Sequence, residues 1–342
     1  MADRTLLVPG TQATNLLDQD GDRVYNAVRV NLGLIKKDLG KDPTAWVPIL
    51  SMEHAPGQLA PARTSLRPRT QIRTGSVLRT PYEAFPRSYK PWPYDWRCDL
   101  RHNAASLLEL LERDKPSDGR WNLVGHSQGG LIIVAASKLL DDPARFESLV
   151  ARVALLGAPL AGTMRAADAL CFGSEDLGKE EQAFARALAR TWPALYQMLP
   201  SWDAILDPTE RPLPATEQLL ELGGWPEAEG VTLDLLQRAK ELQAMLRDPF
   251  ARFGGTRARA IMTSNKPTKV TMVRLPTAGG DVFEGESYQG GDSLVPYEQT
   301  RSWGGTAFDQ FVVHVPGNVR AHAFLGIDEE IAAFVARFFG QP

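Results

Sequence analysis

The sequence predicts an α/β protein: a mostly parallel sheet with helices on both faces. Two observations carry this. Short apolar runs at residues 5–8, 121–124, 152–156, 259–264, 270–275 and 310–315 have the length and flanking turn residues of buried strands. Helical spacing fills most of the intervals, with 107–111 before the 121–124 strand, 131–140 after it and 329–339 at the end. Strands that alternate with helices are joined by crossovers, which make neighbouring strands parallel and cover both faces of the sheet.

Two regions break the alternation. Residues 15–90 are rich in Pro, Arg and scattered apolar residues without a sustained period, and read as an irregular excursion. Residues 161–256 read as amphipathic helices at 179–189, 194–198 and 233–246, interrupted by the turn-rich Asp207-Pro-Thr-Glu-Arg-Pro-Leu-Pro214. The sheet pattern resumes after this insert, which favours a helical cap following the strand that ends near residue 157 over an independent helical domain. The expected organisation is a core of residues 1–160 and 257–342 with a cap of residues 161–256.

A chain of 342 residues can form one such unit. With 43% hydrophobic residues, 23% charged residues and a net charge of −3, it has no basic surplus to neutralise phosphates, so nucleic acid is not an expected partner. No apolar run approaches the roughly 18 residues of a membrane span. The chain passes from Met1-Ala-Asp-Arg4 directly into a strand, without a secretion signal, so the expected location is cytoplasmic; a processed secreted enzyme would read the same way. Cys98 and Cys171 could form at most one bridge and match no metal pattern, and no cofactor or metal is expected.

The chemistry concentrates at Gly125-His-Ser127-Gln-Gly129. A nucleophile elbow needs a strand that ends, a strained turn carrying the serine, and a helix that starts at once, with glycines where side chains would collide. The pattern alone arises by chance on the order of 0.1 times in so glycine-rich a chain, so its position between the 121–124 strand and the 131–140 helix carries the inference. The alternative is a serine that merely caps the helix. A helix start also aims free N–H groups at the site, which favours an oxyanion. His126 adjoins the serine, but neighbours at a sharp turn point apart, so it reads as a packing residue.

Acid and base then follow the serine in chain order, on loops after later strands. Of the five histidines only His314 and His322 lie downstream. His314 falls within the apolar run Phe311-Val-Val-His-Val315, where a strand residue is expected, whereas His322 follows that run by the loop Pro316-Gly-Asn-Val-Arg-Ala321 and precedes the last helix, where an imidazole can reach Ser127. For the acid, Asp292 in Gly290-Gly-Asp-Ser-Leu-Val-Pro296 sits in a glycine turn suited to meeting the imidazole Nδ1; Asp281 is its rival. The oxyanion donors expected are the backbone N–H groups of Gln128, after the serine, and Thr11, in the loop after the first strand.

These motifs, with Leu7-Val-Pro-Gly10, Pro93-Tyr-Asp-Trp-Arg97, Leu155-Leu-Gly-Ala-Pro159, Ala161-Gly162 and Thr191–Pro200, resemble the lecithin:cholesterol acyltransferase group, which includes lysosomal phospholipases and bacterial lipases of the α/β-hydrolase fold. The resemblance implies Ser127 as nucleophile, Asp292 as acid, His322 as base, and Thr11 and Gln128 as oxyanion donors, in agreement with the residue-level reading. The chain departs from the group at Ser264-Asn-Lys-Pro-Thr268, where a glycine usually precedes Pro-Thr, and lacks a counterpart of its lid disulfide. Asp95 and Arg97 read as charges that organise neighbouring loops.

The expected function is a serine-dependent carboxylic ester hydrolase working through an acyl-enzyme. The alternatives are an acyltransferase, thioesterase or amidase on the same triad, and a non-catalytic ligand-binding fold, which would be expected to lack a triad member. The substrate is expected to be an acyl ester or lipid. Trp192, Leu195, Tyr196, Met198, Leu199 and Trp202 either line an acyl pocket or form the cap's core. Trp46, Val47, Ile49 and Leu50, within residues 43–60, offer transient contact with a membrane surface or a buried excursion.

Overall fold

The computed structural model describes residues 3–11, 13–17, 23–25, 50–53, 58–60, 66–69, 82, 84–173, 179–226, 228–249, 253, 256–304, 308–310 and 321–341. Its strands are β1 (Arg4–Val8), β2 (Asn15–Leu17), β3 (Arg23–Tyr25), β4 (Arg67–Arg69), β5 (Lys90–Pro91), β6 (Trp121–His126), β7 (Val150–Leu156), β8 (Ile205–Leu206), β9 (Ala258–Met262), β10 (Lys266–Thr277), β11 (Gly280–Gly291) and β12 (Phe308–Gln310). Its α-helices are α1 (Leu100–Arg113), α2 (Gln128–Leu139), α3 (Pro143–Leu149), α4 (Met164–Phe172), α5 (Lys179–Ala189), α6 (Pro193–Gln197), α7 (Leu233–Leu246), α8 (Tyr297–Gly304), α9 (Ala321–Phe324) and α10 (Glu329–Phe338).

Among the described residues the central sheet has six strands in the order β12-β9-β7-β6-β1-β5, and every pairing is parallel. Alternate residues on each strand feed two separate cores, as the two-residue period of a strand requires. Leu6, Val8, Leu123, Val153 and Leu155 join a cluster with Leu107 and Leu111 of α1 and Leu131 and Ile132 of α2. Leu7, Val124, Ala154, Leu156 and Ile261 join Ile331, Ala332 and Val335 of α10. α2 is apolar around its whole circumference and buried from Gln128 to Ser137, as a helix enclosed on all sides must be. Side-chain caps from Asp99, Asp142, Thr163, Thr232 and Asp328 hold the starts of α1, α3, α4, α7 and α10.

The predicted helices at 179–189, 194–198 and 233–246 correspond to α5, α6 and α7. This part of the chain has its own apolar cluster, including Leu170, Tyr196, Leu199, Ile205, Trp225 and Leu236, and α7 reaches the larger cluster through Leu242 and Leu246. Polar groups fasten it to α1: Gln197 donates to Asp99 Oδ1 at 2.8 Å and accepts from Leu100 N at 2.7 Å, while Arg101 pairs with Glu241 at 2.5 Å.

Four features differ from the sequence reading. The 270–275 run belongs to β10, which pairs antiparallel with β11 and parallel with β8 in a separate three-stranded sheet. Its residues alternate, Val270 and Met272 being buried and Thr271 half-buried, which is the signature of a sheet with one packed face. β11 is polar and exposed over most of its length and so gives no hydrophobic signal. β8 interrupts the insert expected to be helical, and β5 adds a two-residue edge to the central sheet.

Within the excursion, β3, β2 and β4 form a small antiparallel sheet. Leu50 is buried, whereas Trp46, Val47 and Ile49 lie outside the described residues, as do His314 and the 311–315 part of the last predicted strand. Cys98 and Cys171 are buried free thiols. Among the described residues no helix is long and apolar enough to cross a membrane.

α2 crosses the end of β1 so closely that a Cβ on Gly129 would lie 2.2 Å from the Val8 carbonyl oxygen and 2.6 Å from that of Pro9. Backbone atoms on both sides leave no room to relax. Gly129→Ala is therefore expected to lower the unfolding free energy by about 2 kcal/mol or more, measured by urea denaturation; an unchanged midpoint and slope would show that the crossing can open at no cost.

Candidate active site

Ser127 lies between the last residue of β6 and the first of α2, with φ 54° and ψ −126°. Few residues other than glycine adopt a positive φ, and holding one there costs on the order of 1–3 kcal/mol. The Ser127 side chain makes no capping hydrogen bond to α2, so its hydroxyl does not serve as the helix cap. The backbone fixes the turn instead: Ser127 N donates to Leu156 O at 2.8 Å, and Gly130 N donates to Ser127 O at 2.9 Å.

Asp292 follows β11 in a tight turn. Its Oδ1 accepts from Leu294 N at 3.0 Å and Val295 N at 2.7 Å, leaving Oδ2 to meet His322 Nδ1 at 2.7 Å. The backbones are joined as well, His322 N donating to Asp292 O at 2.8 Å. Asp292 is fully buried and His322 nearly so. A carboxylate on Nδ1 keeps the proton on that nitrogen and the lone pair of the neutral ring on Nε2. Asp281 lies near the β10–β11 turn, bound to Arg274 at 2.7 Å, and is not the carboxylate on His322.

The serine and this pair converge on one turn. Ser127 N is bound to Leu156 O, and a Cβ on the adjoining Gly157 would lie 2.9 Å from Asp292 Oδ2 and 3.1 Å from His322 Nδ1. Gly157 has φ +54° as well, so both its conformation and its surroundings require glycine.

The loop after β1 closes the arrangement. Val8 is opposite Gly125 in the sheet, and a Cβ on Gly10 would come within 3.0 Å of Ser127 Cβ, so Thr11 leaves the sheet beside the elbow. Gln128 N is the first N–H of α2 and has no carbonyl one turn earlier to bind. The Gln128 side chain is fully engaged, Nε2 donating to Trp96 O at 2.9 Å and Oε1 lying 3.2 Å from Tyr94 Oη, which donates to Pro9 O at 2.7 Å. Thus Pro93–Arg97 ties the first loop to the start of α2. Asp95 and Arg97 form a buried two-point pair, and Arg97 also donates to Leu50 O at 2.8 Å, in keeping with an organising role.

Of the expected substrate residues, Met198 reaches this loop, its Sδ 4.0 Å from Thr11 Oγ1. Trp192 stands edge-on to Trp96 and donates to Leu50 O, and Trp202 donates to Val270 O. Tyr196 is turned entirely into its own apolar cluster, with its hydroxyl on Arg190 O, so its placement is that of a core residue.

His126 packs, as expected of it, but also binds. Its ring lies 4.9 Å from that of His322, with Nε2 3.0 Å from His322 O and Nδ1 2.9 Å from Tyr82 Oη. Burial, reinforced by the neighbouring His322, pushes its pKa down to about 3, so the ring is neutral. Tyr82 was missed in the sequence because it stands in the patternless 15–90 region. Among the described residues no group of three or more His, Cys, Asp or Glu side chains could hold a metal ion.

Residues 87–229 match the family model for lecithin:cholesterol acyltransferase. Over this segment the chain is similar to that family. The matched segment contains Pro93–Arg97, the Ser127 elbow, Leu155–Pro159 and Thr191–Pro200, and ends before Asp292 and His322. The acyltransferase-like segment thus carries most of the motifs behind the expected resemblance. Solved structures extend the likeness in fold to the whole chain: one described as "The crystal structure of Tle4-Tli4 complex" superposes with a TM-score of 0.58 at 12% identity, over 99% of this chain and 98% of that one. Together they bear out the α/β-hydrolase fold. No curated protein matches in sequence.

The folded His126 binds no proton until the pH nears 3, whereas the unfolded chain takes one up through 6.5. Its contribution to stability therefore falls as the pH drops below about 6.5, by up to about 1.4 kcal/mol per unit. In urea denaturation at pH 7.0 and 4.5, His126→Phe is expected to lose about 2 kcal/mol less between the two pH values than wild type does; equal losses would mean that His126 is protonated in the folded state.

Proposed function

We propose that the protein hydrolyses carboxylic esters of apolar acyl chains through an acyl-enzyme on Ser127. The observation that carries this is the meeting of the strained Ser127 turn and the buried Asp292–His322 pair on Leu156–Gly157. In the proposed cycle His322 Nε2 takes the Ser127 proton as Oγ attacks the ester carbonyl carbon. Negative charge develops on the carbonyl oxygen and is met by the N–H groups of Thr11 and Gln128, reinforced by the positive end of α2. Collapse of the tetrahedral species breaks the ester C–O bond, and His322 returns its proton to the departing alcohol. Water, deprotonated by His322, then attacks the acyl-Ser127 carbonyl and regenerates the serine.

Asp292 supports this by holding the imidazole in the tautomer whose Nε2 can accept a proton. The domain reading follows the same division, with residues 1–160 and 257–342 as the core and residues 161–256 as a cap over the site. Met198 beside Thr11, on the cap side, supports an apolar acyl group as substrate. The family match supports acyl-ester chemistry more broadly, and an alcohol in place of water would turn hydrolysis into acyl transfer through the same intermediate.

Assays with p-nitrophenyl esters of graded chain length test this. Wild type is expected to turn them over, and Ser127→Ala, His322→Ala and Asp292→Asn each to lower kcat by roughly 10³-fold or more. Turnover that survives in Ser127→Ala would overturn the proposal.

A further inference from the structure

Beyond the triad and the oxyanion donors, four groups are connected that the proposed reaction does not use. Gly10 N donates to Tyr82 Oη at 2.9 Å, Tyr82 Oη lies 2.9 Å from His126 Nδ1, and His126 Nε2 lies 3.0 Å from the His322 carbonyl oxygen. The direction of each bond is fixed by its ends. A carbonyl can only accept, so the neutral His126 ring carries its proton on Nε2 and offers a lone pair at Nδ1. Tyr82 Oη must then donate to Nδ1, and its oxygen lone pair accepts from Gly10 N–H. One continuous chain links the loop that carries Thr11 to the backbone of the residue that carries the base.

Tyr82 also shows the marks of a residue held in place by its surroundings. Its φ is 75°, an uncommon conformation for a bulky side chain. It is buried, and its ring fills the space that Gly326 leaves: a Cβ on that glycine would lie 2.9 Å from Tyr82 Cδ1 and Cε1. Gly326 stands two residues after α9, the short helix that carries His322. Tyr82 therefore bears on the His322 segment twice, through its ring against Gly326 and through His126 to the His322 carbonyl. Its ring is edge-on to His126 at 5.5 Å between centroids.

We propose that Tyr82 and His126 are positioning residues, whose hydrogen-bond chain sets the separation between the Thr11 loop and His322. A polar chain buried beside the elbow is worth its full geometry only when every member is bonded, so losing one hydroxyl frees both Gly10 N–H and His126 Nδ1. The ester-cleaving reading supplies the reaction on which this geometry would act, and small displacements of catalytic groups are costly to rate.

The test uses Tyr82→Phe, which keeps the ring against Gly326 and removes only the hydroxyl. Folded active sites are counted by burst titration, and kcat and KM are measured per site well below the melting temperature. In parallel, the His322 Nδ1–H proton resonance, assigned by its loss in His322→Gln, is followed in the full-length protein. In Tyr82→Phe kcat per site is expected to fall about tenfold or more with KM within about twofold, and the His322 resonance to shift or broaden. His126→Phe is expected to act likewise, with the double variant no worse than the worse single one.

Wild-type kcat per site with an unshifted resonance overturns the proposal. So does a loss of activity accounted for wholly by fewer folded sites. If Ser127→Ala proves as active as wild type, the ester reading falls instead, and the resonance alone decides: a shift in Tyr82→Phe upholds the positioning role and an unchanged one refutes it.

Discussion

The close crossing of α2 over the end of β1 is the constraint on which the site depends. Gly129 rests against the carbonyls of Val8 and Pro9 at a distance that admits no side chain. With α2 pressed that near, the chain leaving β6 has one residue in which to reverse from strand to helix, and Ser127 takes up a positive φ. The same crossing brings the loop after β1 alongside the elbow. A single steric condition thus sets the serine's strain, the first helix N–H and the neighbouring loop in one place.

The remaining parts hold that geometry from three sides. Leu156 O anchors the Ser127 backbone, and Gly157 lets the Asp292–His322 pair approach the same turn. Tyr94 and the Gln128 side chain bind the first loop to α2 and to Trp96. His126 and Tyr82 bind that loop to the His322 segment. Most of these polar groups are buried, where a satisfied hydrogen bond fixes position more firmly than at a wet surface and an unsatisfied one is more costly. His126 illustrates the condition: its burial keeps it neutral, and neutrality lets it accept from a tyrosine on one side and donate to a carbonyl on the other.

Much of this was legible in the sequence where a local rule dictates structure. The apolar runs at 121–124 and 152–156 mark strands packed on both faces, and those strands are central in the sheet. Gly125, Gly129 and Gly130 mark close backbone approach, and all three leave no room for a Cβ. His322 was separable from His314 by its place after a loop and before the last helix, and Asp292 from Asp281 by the Ser-Leu-Val-Pro that follows it; Asp292 is the one bonded to His322. What sequence reading missed lacked periodicity or depended on distant partners. β11 is polar and exposed over most of its length and pairs with its hairpin neighbour β10. Tyr82 acquires its role from Gly10, His126 and Gly326, none of which is near it in sequence. Tyr196 shares its apolar character with Trp192, Met198 and Trp202, and only the packing around it shows that it is a core residue.

Covalent labelling tests the central claim most directly. An alkyl fluorophosphonate, followed by peptide mass spectrometry, is expected to leave a single adduct on Ser127, with labelling lost in His322→Ala at equal folded concentration. An adduct on another residue, or an unchanged rate of Ser127 labelling without His322, would contradict a serine activated by the His322–Asp292 pair.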